Sequence, residues 1–496
     1  MKKLHSLPWI ISGFMLCLVF IIATIPSAKA QSGRETGRGT GVEGRPTRSY
    51  TSVIQNVFDF IRENYVDEVD PEVLFEGTMS GMFNSLGDPH SAFLPARELE
   101  DLNDTTRGNF GGVGLYISKP LEAKPDGSPP YVEVASPIED TPGWRAGINP
   151  GDLILEIDGE ATDLLSMDAV LARLRGVPGT DVRLLIRRSA ALEFPVILTR
   201  AVIEVPVIKY EMIGDTGYIR IISFTPMTAD HTRDALRGFI RQNCKNIIVD
   251  LRNNPGGLLD AAVDVCELFL DGGTVVSTKS RIKSENNDYR AYGEPIVPGN
   301  MPLVVLINKG SASASEIVAG ALKDRGRAYL VGEKSYGKGS VQKVFPVGNN
   351  TGFRLTTARY YTPSGVNIDK IGIPPDREVL FPEFSPESAG KLAQLIQENK
   401  IPEFVQANPG AQAAKINVFV QELNSLYGLD EGLLRRLVRN EQNRTVIAPV
   451  YDLEYDVQLQ EAVNILRNGS YGELMKTTKT LKTLQDEADS ELPLAS

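Results

Sequence analysis

The residues of this chain best suited to chemistry are serines in one small-residue turn and a lysine in another. Ser311, Ser313 and Ser315 alternate with alanines in Asn308-Lys-Gly-Ser-Ala-Ser-Ala-Ser-Glu316, between the apolar run Leu303 to Ile307 and a helical pattern that begins at Ser315. A hydroxyl at a strand-to-helix corner is exposed, and the unpaired N–H groups of the helix start favour negative charge beside it. That suits a nucleophile attacking a carbonyl, whose oxygen becomes an anion. Serines at a helix start also serve as ordinary caps, and the turn alone does not separate the two roles.

A serine hydroxyl is a weak nucleophile until a base takes its proton. The chain has three histidines: His5 in the N-terminal apolar region, His90 after a turn, and His231 at the head of a polar helical pattern. None lies in a glycine-rich loop. Lys338 does, in Tyr336-Gly-Lys-Gly-Ser-Val-Gln342. A lysine amine replaces histidine as the base when burial lowers its pKa enough to leave it neutral. Gly337 and Gly339 permit close backbone approach around Lys338, and Gln342 offers a side-chain oxygen to hold the amine. Two other motifs overlap this segment. Gly332 to Lys338 resembles a phosphate-binding loop, but Gly339 stands where a metal-binding Ser or Thr is required and a strand-like run follows. Ser335 and Lys338 fit S-x-x-K, which needs a helix that Gly337 and Gly339 oppose.

A third segment, Asp250-Leu-Arg-Asn-Asn-Pro-Gly-Gly257, follows the apolar run Ile247 to Val249. A Pro-Gly-Gly turn at the carboxyl end of a strand presents bare N–H groups where open α/β sheets place their ligands. Alone it is a tight turn. Beside the serine corner, Gly256 and Gly257 with the N–H of Ala314 are candidates for an oxyanion hole.

These segments need a scaffold, and 496 residues allow two or three domains. Hydrophobic and charged fractions of 42% and 23% are ordinary for a globular protein. A net charge of -11 gives no electrostatic support to nucleic-acid binding. Lys2 and Lys3 precede an apolar run from Leu7 to Ile25, and Ser27-Ala-Lys-Ala30 resembles a cleavage site, so residues 1–30 are expected to be a signal peptide. A retained membrane tether through residues 7–25 is the competing reading. Either implies export, to a periplasmic or cell-envelope location. Cys17 lies in that run, and Cys244 and Cys266 are expected to be buried small hydrophobes.

Residues 31–49 lack apolar periodicity and are expected to be a flexible tether. Residues 50–107 have helical spacing (Val53, Val57, Ile61, then Met79, Met82) until Gly87-Asp-Pro89 breaks it. Residues 108–190 carry short β-like runs and one helical stretch, Met167 to Leu174. Residues 191–384 alternate strands with helices, which argues an α/β layer fold with a largely parallel sheet. Residues 385–496 are mostly helical and polar, with a frayed acidic end from Asp486 to Glu491.

Taken together, the motifs resemble the C-terminal processing peptidases, or tail-specific proteases, over about residues 50–378. The matching stretches include Asp88-Pro-His-Ser-Ala-Phe93, Phe110-Gly-Gly-Val-Gly-Leu115, Asp250 to Gly257, Gly310 to Glu316, Gly337 to Gln342 and Leu355 to Gly365. The resemblance implies a Ser-Lys dyad with Ser313 as nucleophile, Lys338 as base and Gln342 orienting the lysine. It implies oxyanion donors at Ala314 and at Gly256 or Gly257. It also implies a crotonase-like α/β core with an inserted PDZ domain, in which Gly112, Val113, Gly114 and Leu115 capture a chain-terminal carboxylate. No metal or nucleotide cofactor is expected. The implied partners are polypeptides with exposed apolar tails, and the helical regions are candidates for homodimer contacts. Two rival functions share the residues: a non-catalytic PDZ scaffold, and a crotonase-like acyl-CoA enzyme.

Overall fold

The apolar runs that flank the candidate turns form the centre of one sheet. In the computed structural model, which describes residues 47–496 apart from 121–128, 139, 189–191, 349, 381–384, 444–448 and 492–496, six strands lie in the order Ile208–Ile213, Thr216–Ile221, Asn246–Asp250, Leu303–Ile307, Tyr329–Gly332 and Arg377–Glu378. All neighbours are parallel except the first pair. Strands covered on both faces need apolar residues at every position, and Leu303 to Ile307 are wholly buried. Because successive side chains point to opposite faces, Val305 and Ile307 pack on the helices Thr228–Arg241, Leu259–Glu267 and Ala314–Asp324. Val304 and Leu306 pack on Leu459 and Val463 of helix Val457–Arg467.

That last contact changes the reading of residues 385–496 as a single extension. Helices Pro386–Gln397, Lys400–Ala407, Ala413–Tyr427 and Glu431–Gln442 enclose a small core of their own around Leu423 and Leu434. The segment from Pro449 onward returns to cover the second face of the main sheet, so it belongs to the core domain. The acidic end is also helical, Leu481–Glu491, with Leu481 N bonded to Asp324 Oδ1 at 2.7 Å.

A second, antiparallel sheet carries the lysine turn. Strand Thr351–Tyr361 pairs with Ser340–Gly348, with Gly273–Ser280 and with the short Ala92–Leu94. Its long register places Gln342 opposite Thr356.

The β module is an antiparallel sheet ordered Leu115–Ser118, Val132–Pro137, Leu153–Ile157, Asp181–Arg188 and Leu192–Thr199. Its boundary therefore lies beyond residue 190, because Leu192–Thr199 pairs along its whole length with Asp181–Arg188. The chain enters through Asn109–Gly112 and leaves through Ala201–Glu204, and these two strands pair with each other. The entering and leaving strands thus lie side by side, as in an inserted module. Helix Met167–Leu174 buries Val170 and Leu174 in the module's core.

The chain divides into units at Leu74/Phe75, within helix Pro71–Asn84. The first unit's helix Thr47–Asn64 starts inside the expected tether and leaves Val53, Val57 and Phe60 exposed. The expected signal peptide lies outside the described residues. No helix among the described residues is long and apolar enough to cross a membrane. Cys244 and Cys266 are buried and unpaired.

Candidate active site

Two of the three serines in the turn have structural work to do. Ser311 Oγ donates to Leu251 O at 2.8 Å and Ser315 Oγ to Asn254 O at 2.9 Å, both fully buried. Ala312 N adds a bond to Asn254 O at 3.0 Å. These contacts stitch the serine turn to the strand end at Leu251 to Asn254 and leave Ser313, half-buried, at the apex. Ser313 has φ 54° and ψ -113°, a backbone state that L residues rarely adopt. Such strain persists only where the surroundings impose it, and it clusters at functional sites.

What imposes it is Glu316, three residues on, which sequence reasoning passed over. Its buried carboxylate accepts Ser313 N and Lys338 N, each at 2.9 Å, on Oε2, and Gly337 N at 2.7 Å and Ser335 Oγ at 2.5 Å on Oε1. One carboxylate thus joins the serine turn to the lysine turn. Burial pushes its pKa up, against the pull of these four donors. The signal was present as Ser313-Ala-Ser-Glu316, the S-x-x-E pattern in which the Glu side chain bonds back to the helix cap. Sequence alone does not reveal that the same carboxylate has a second client 22 residues away.

Lys338 sits where its glycines place it. A Cβ at Gly339 would lie 2.5 Å from Asp369 N, and one at Gly337 2.9 Å from Gly372 N. Only glycines let the turn press against segment 368–372. The Lys338 amine is held below the usual lysine range, first by burial and then by the Arg354 cation, with Glu316 and Asp88 opposing. Gln342 donates through Nε2 to Ser340 Oγ at 2.9 Å and to Thr356 Oγ1 at 3.3 Å. Among the described residues no hydrogen bond joins Ser313 Oγ to Lys338 Nζ, or Gln342 to Lys338. The structure brings the two turns together by their backbones and leaves the side-chain contact unmade.

Tyr360 spans the same gap from the other side. Its hydroxyl donates to Lys338 O and lies 3.3 Å from Ser313 O.

The Pro-Gly-Gly turn meets the serine directly. A Cβ at Gly256 would fall 2.8 Å from both Ala312 O and Ser313 Cβ. Gly256 N is already bonded to Asn254 Oδ1 at 2.9 Å. Among the described residues, neither Gly257 N nor Ala314 N meets an acceptor. Of the two glycines, Gly257 therefore keeps its donor available. The strand end behind this turn is fixed by Arg252, whose guanidinium grips Asp250 and, on the returning C-terminal segment, Asp456 at 2.6 Å through Nη2.

His90 comes near Lys338, which the sequence did not show. Burial and the Lys338 charge lower its pKa. Asp88 bonds to His90 N at 3.0 Å and Ser91 Oγ at 2.6 Å. The carboxylate thus meets the histidine backbone, and among the described residues no carboxylate bonds the ring as a Ser-His-Asp arrangement requires.

In the β module, Leu115–Ser118 is an edge strand with one side unpaired by the sheet. Val113 is buried, and Gly114, at φ 74°, lies against Thr141, where a Cβ would fall 2.2 Å away. Gly112 is the last residue of the entering strand.

Residues 215–379 match the model of peptidase family S41, residues 133–188 that of a PDZ domain, and residues 22–97 that of the activating protease CtpB N-terminal domain. The chain is 40% identical over 328 residues to a carboxy-terminal-processing protease of Bartonella bacilliformis, covering 65% of this chain and 73% of that protein. It is 39% identical over 311 residues to a carboxyl-terminal-processing protease of Synechocystis sp., covering 61% and 70%. Among solved structures it is similar to a photosystem II D1 C-terminal processing protease, at 29% identity and a TM-score of 0.40, covering 67% of this chain and 93% of that one.

Proposed function

Because the chain belongs to the C-terminal processing peptidases of family S41 and carries a PDZ domain, we propose that it hydrolyses peptide bonds with a Ser313–Lys338 dyad. The observation that carries this reading is the shared carboxylate, Glu316, which bonds the backbone N–H of both residues at 2.9 Å.

Ser313 Oγ attacks the scissile carbonyl carbon while its proton passes to the neutral Lys338 amine. The resulting oxyanion lies against the N–H groups of Gly257 and Ala314. Collapse breaks the C–N bond, and the Lys338 ammonium returns the proton to the departing amine. An ester between Ser313 and the acyl fragment remains. Water attacks it, giving a proton to Lys338, and the ester C–O bond breaks as Ser313 recovers its proton. Catalytic hydrogen bonds are often long before substrate arrives, and the missing Oγ–Nζ bond forms on binding. Gln342, with Nε2 engaged, has Oε1 left to receive a Lys338 N–H.

The PDZ domain supplies selection. Its edge strand Leu115–Ser118 extends by pairing with a polypeptide tail, and Gly112, Val113 and Gly114 hold the terminal carboxylate. The α/β core is read as crotonase-like. Export to the periplasm or cell envelope rests on the basic-apolar-small pattern of residues 1–30. The exposed stripe Val53, Val57 and Phe60 supports self-association through the N-terminal helix.

The test is incubation of wild type, Ser313→Ala and Lys338→Ala with a polypeptide bearing an apolar tail, its C-terminus free or amidated. Wild type should cleave, with the free tail preferred. Equal cleavage by either variant overturns the dyad.

A further inference from the structure

We propose that Tyr360 is a positioning residue whose hydroxyl sets the spacing between Ser313 and Lys338. This rests on the dyad reading and deepens it.

The ring is almost fully buried in the core, 1% exposed, with its hydroxyl at the junction of the two turns. It donates to Lys338 O and approaches Ser313 O at 3.3 Å. Glu316 holds the two residues by their N–H groups, so the same two residues are also drawn together through their carbonyls. The Ser313 carbonyl, on a residue at φ 54°, ψ -113°, also accepts Glu316 N at 2.8 Å and Ile317 N at 3.0 Å, so the phenol meets a carbonyl that the helix start already holds in place.

Tyr360 is itself fixed to the lysine turn through its backbone. Tyr360 N donates to Gly339 O at 3.0 Å. Asn367 Nδ2 donates to Tyr360 O at 2.7 Å and Gly339 O at 3.2 Å. The strand carrying Tyr360 thus registers the lysine turn, while the phenol reaches across it to the serine. Burial, with Glu316 and Asp369 adding to it, keeps the phenol protonated far above its usual range. The donor therefore persists beyond the pH at which an ordinary tyrosine gives up its proton.

A buried tyrosine needs a hydrogen-bond partner in any protein, so satisfaction of the hydroxyl is the alternative. The roles differ in what Tyr360→Phe does. A purely structural hydroxyl, once removed, lowers the unfolding midpoint and leaves turnover alone. A positioning hydroxyl, once removed, lets the dyad relax, and misplacement by about 1 Å costs roughly a hundredfold in rate. The expected result is a fall in kcat of roughly 10- to 100-fold, KM within about twofold, and an acid limb of the pH profile at its wild-type position. Asn367→Ser, which removes the Nδ2 donor from Tyr360 O and Gly339 O without opening the core, should give a smaller loss in kcat of the same form, and it carries the test should the phenylalanine variant not fold.

Activity in Ser313→Ala or Lys338→Ala would remove the dyad and this inference with it. With both inactive, an unchanged kcat in Tyr360→Phe overturns the role of Tyr360 alone. A displaced acid limb also overturns it, because the hydroxyl would then be acting on the lysine's charge and not on its place.

Discussion

Replacing Glu316 by Gln tests the shared carboxylate with minimal change of shape. Its two oxygens receive four donors, whereas an amide has one oxygen and an NH2 group. In the less costly orientation the oxygen stays with Ser313 N and Lys338 N, and the NH2 faces Gly337 N and Ser335 Oγ. The Ser335 hydroxyl can turn to accept, but Gly337 N–H is then buried without a partner, at a cost of about 1–3 kcal/mol. The two retained bonds lose a charged acceptor, about 1 kcal/mol each. Relief from burying a charge offsets part of this, leaving a net loss of about 2–4 kcal/mol. Urea unfolding measures it, and steady-state kinetics on a tailed polypeptide should show kcat down roughly a hundredfold as the turns lose register. A variant within about 0.5 kcal/mol of wild type that keeps its turnover would refute the reasoning, since surface substitutions alone stay in that range.

Four further outcomes follow from the same geometry. Lys338 acts as a base only when neutral, so kcat/KM should rise with pH through an amine pKa held below the lysine range by burial and Arg354; a limb near the free-lysine value of about 10.4 would contradict this. The same shift has a stability consequence: the unfolded chain holds this proton more tightly than the native one, so Lys338→Met should be more stable than wild type at neutral pH, with the gap closing as pH approaches about 10.4. Gly256→Ala should abolish cleavage while PDZ peptide binding persists, because its Cβ would lie 2.8 Å from Ser313 Cβ at a φ of 106°; retained activity would show that the turn yields. Asp456→Ala leaves the buried Arg252 with Asp250 but without its second carboxylate, and a loss of about 2–3 kcal/mol in urea unfolding is expected; no loss would mean that the C-terminal segment does not brace the strand end.

Much of this protein was legible in its residues. Continuous apolar runs such as Leu303 to Ile307 announce strands buried on both faces, because no polar side chain is tolerated there. The glycines at 256, 257, 337 and 339 announce places where backbone must approach backbone, and the structure puts another segment against each of them. With three histidines in the chain, none in a glycine-rich loop, Lys338 stood out as the candidate base. The roles of Glu316 and Tyr360 were not legible, since a capping glutamate and a core tyrosine look the same in sequence whatever they touch. Their partners lie 22 positions away in each case. The selection of Gly257 over Gly256 as the free donor depended on where Asn254 Oδ1 points. The C-terminal segment read as a polar extension because helical periodicity gives the width of an apolar face and not the surface it covers. Local chemistry and strand burial were therefore written in the residue types. Which carboxylate, phenol and distant helix hold the site together was decided by tertiary contacts, because hydrogen bonds between remote segments leave no period or spacing in the chain.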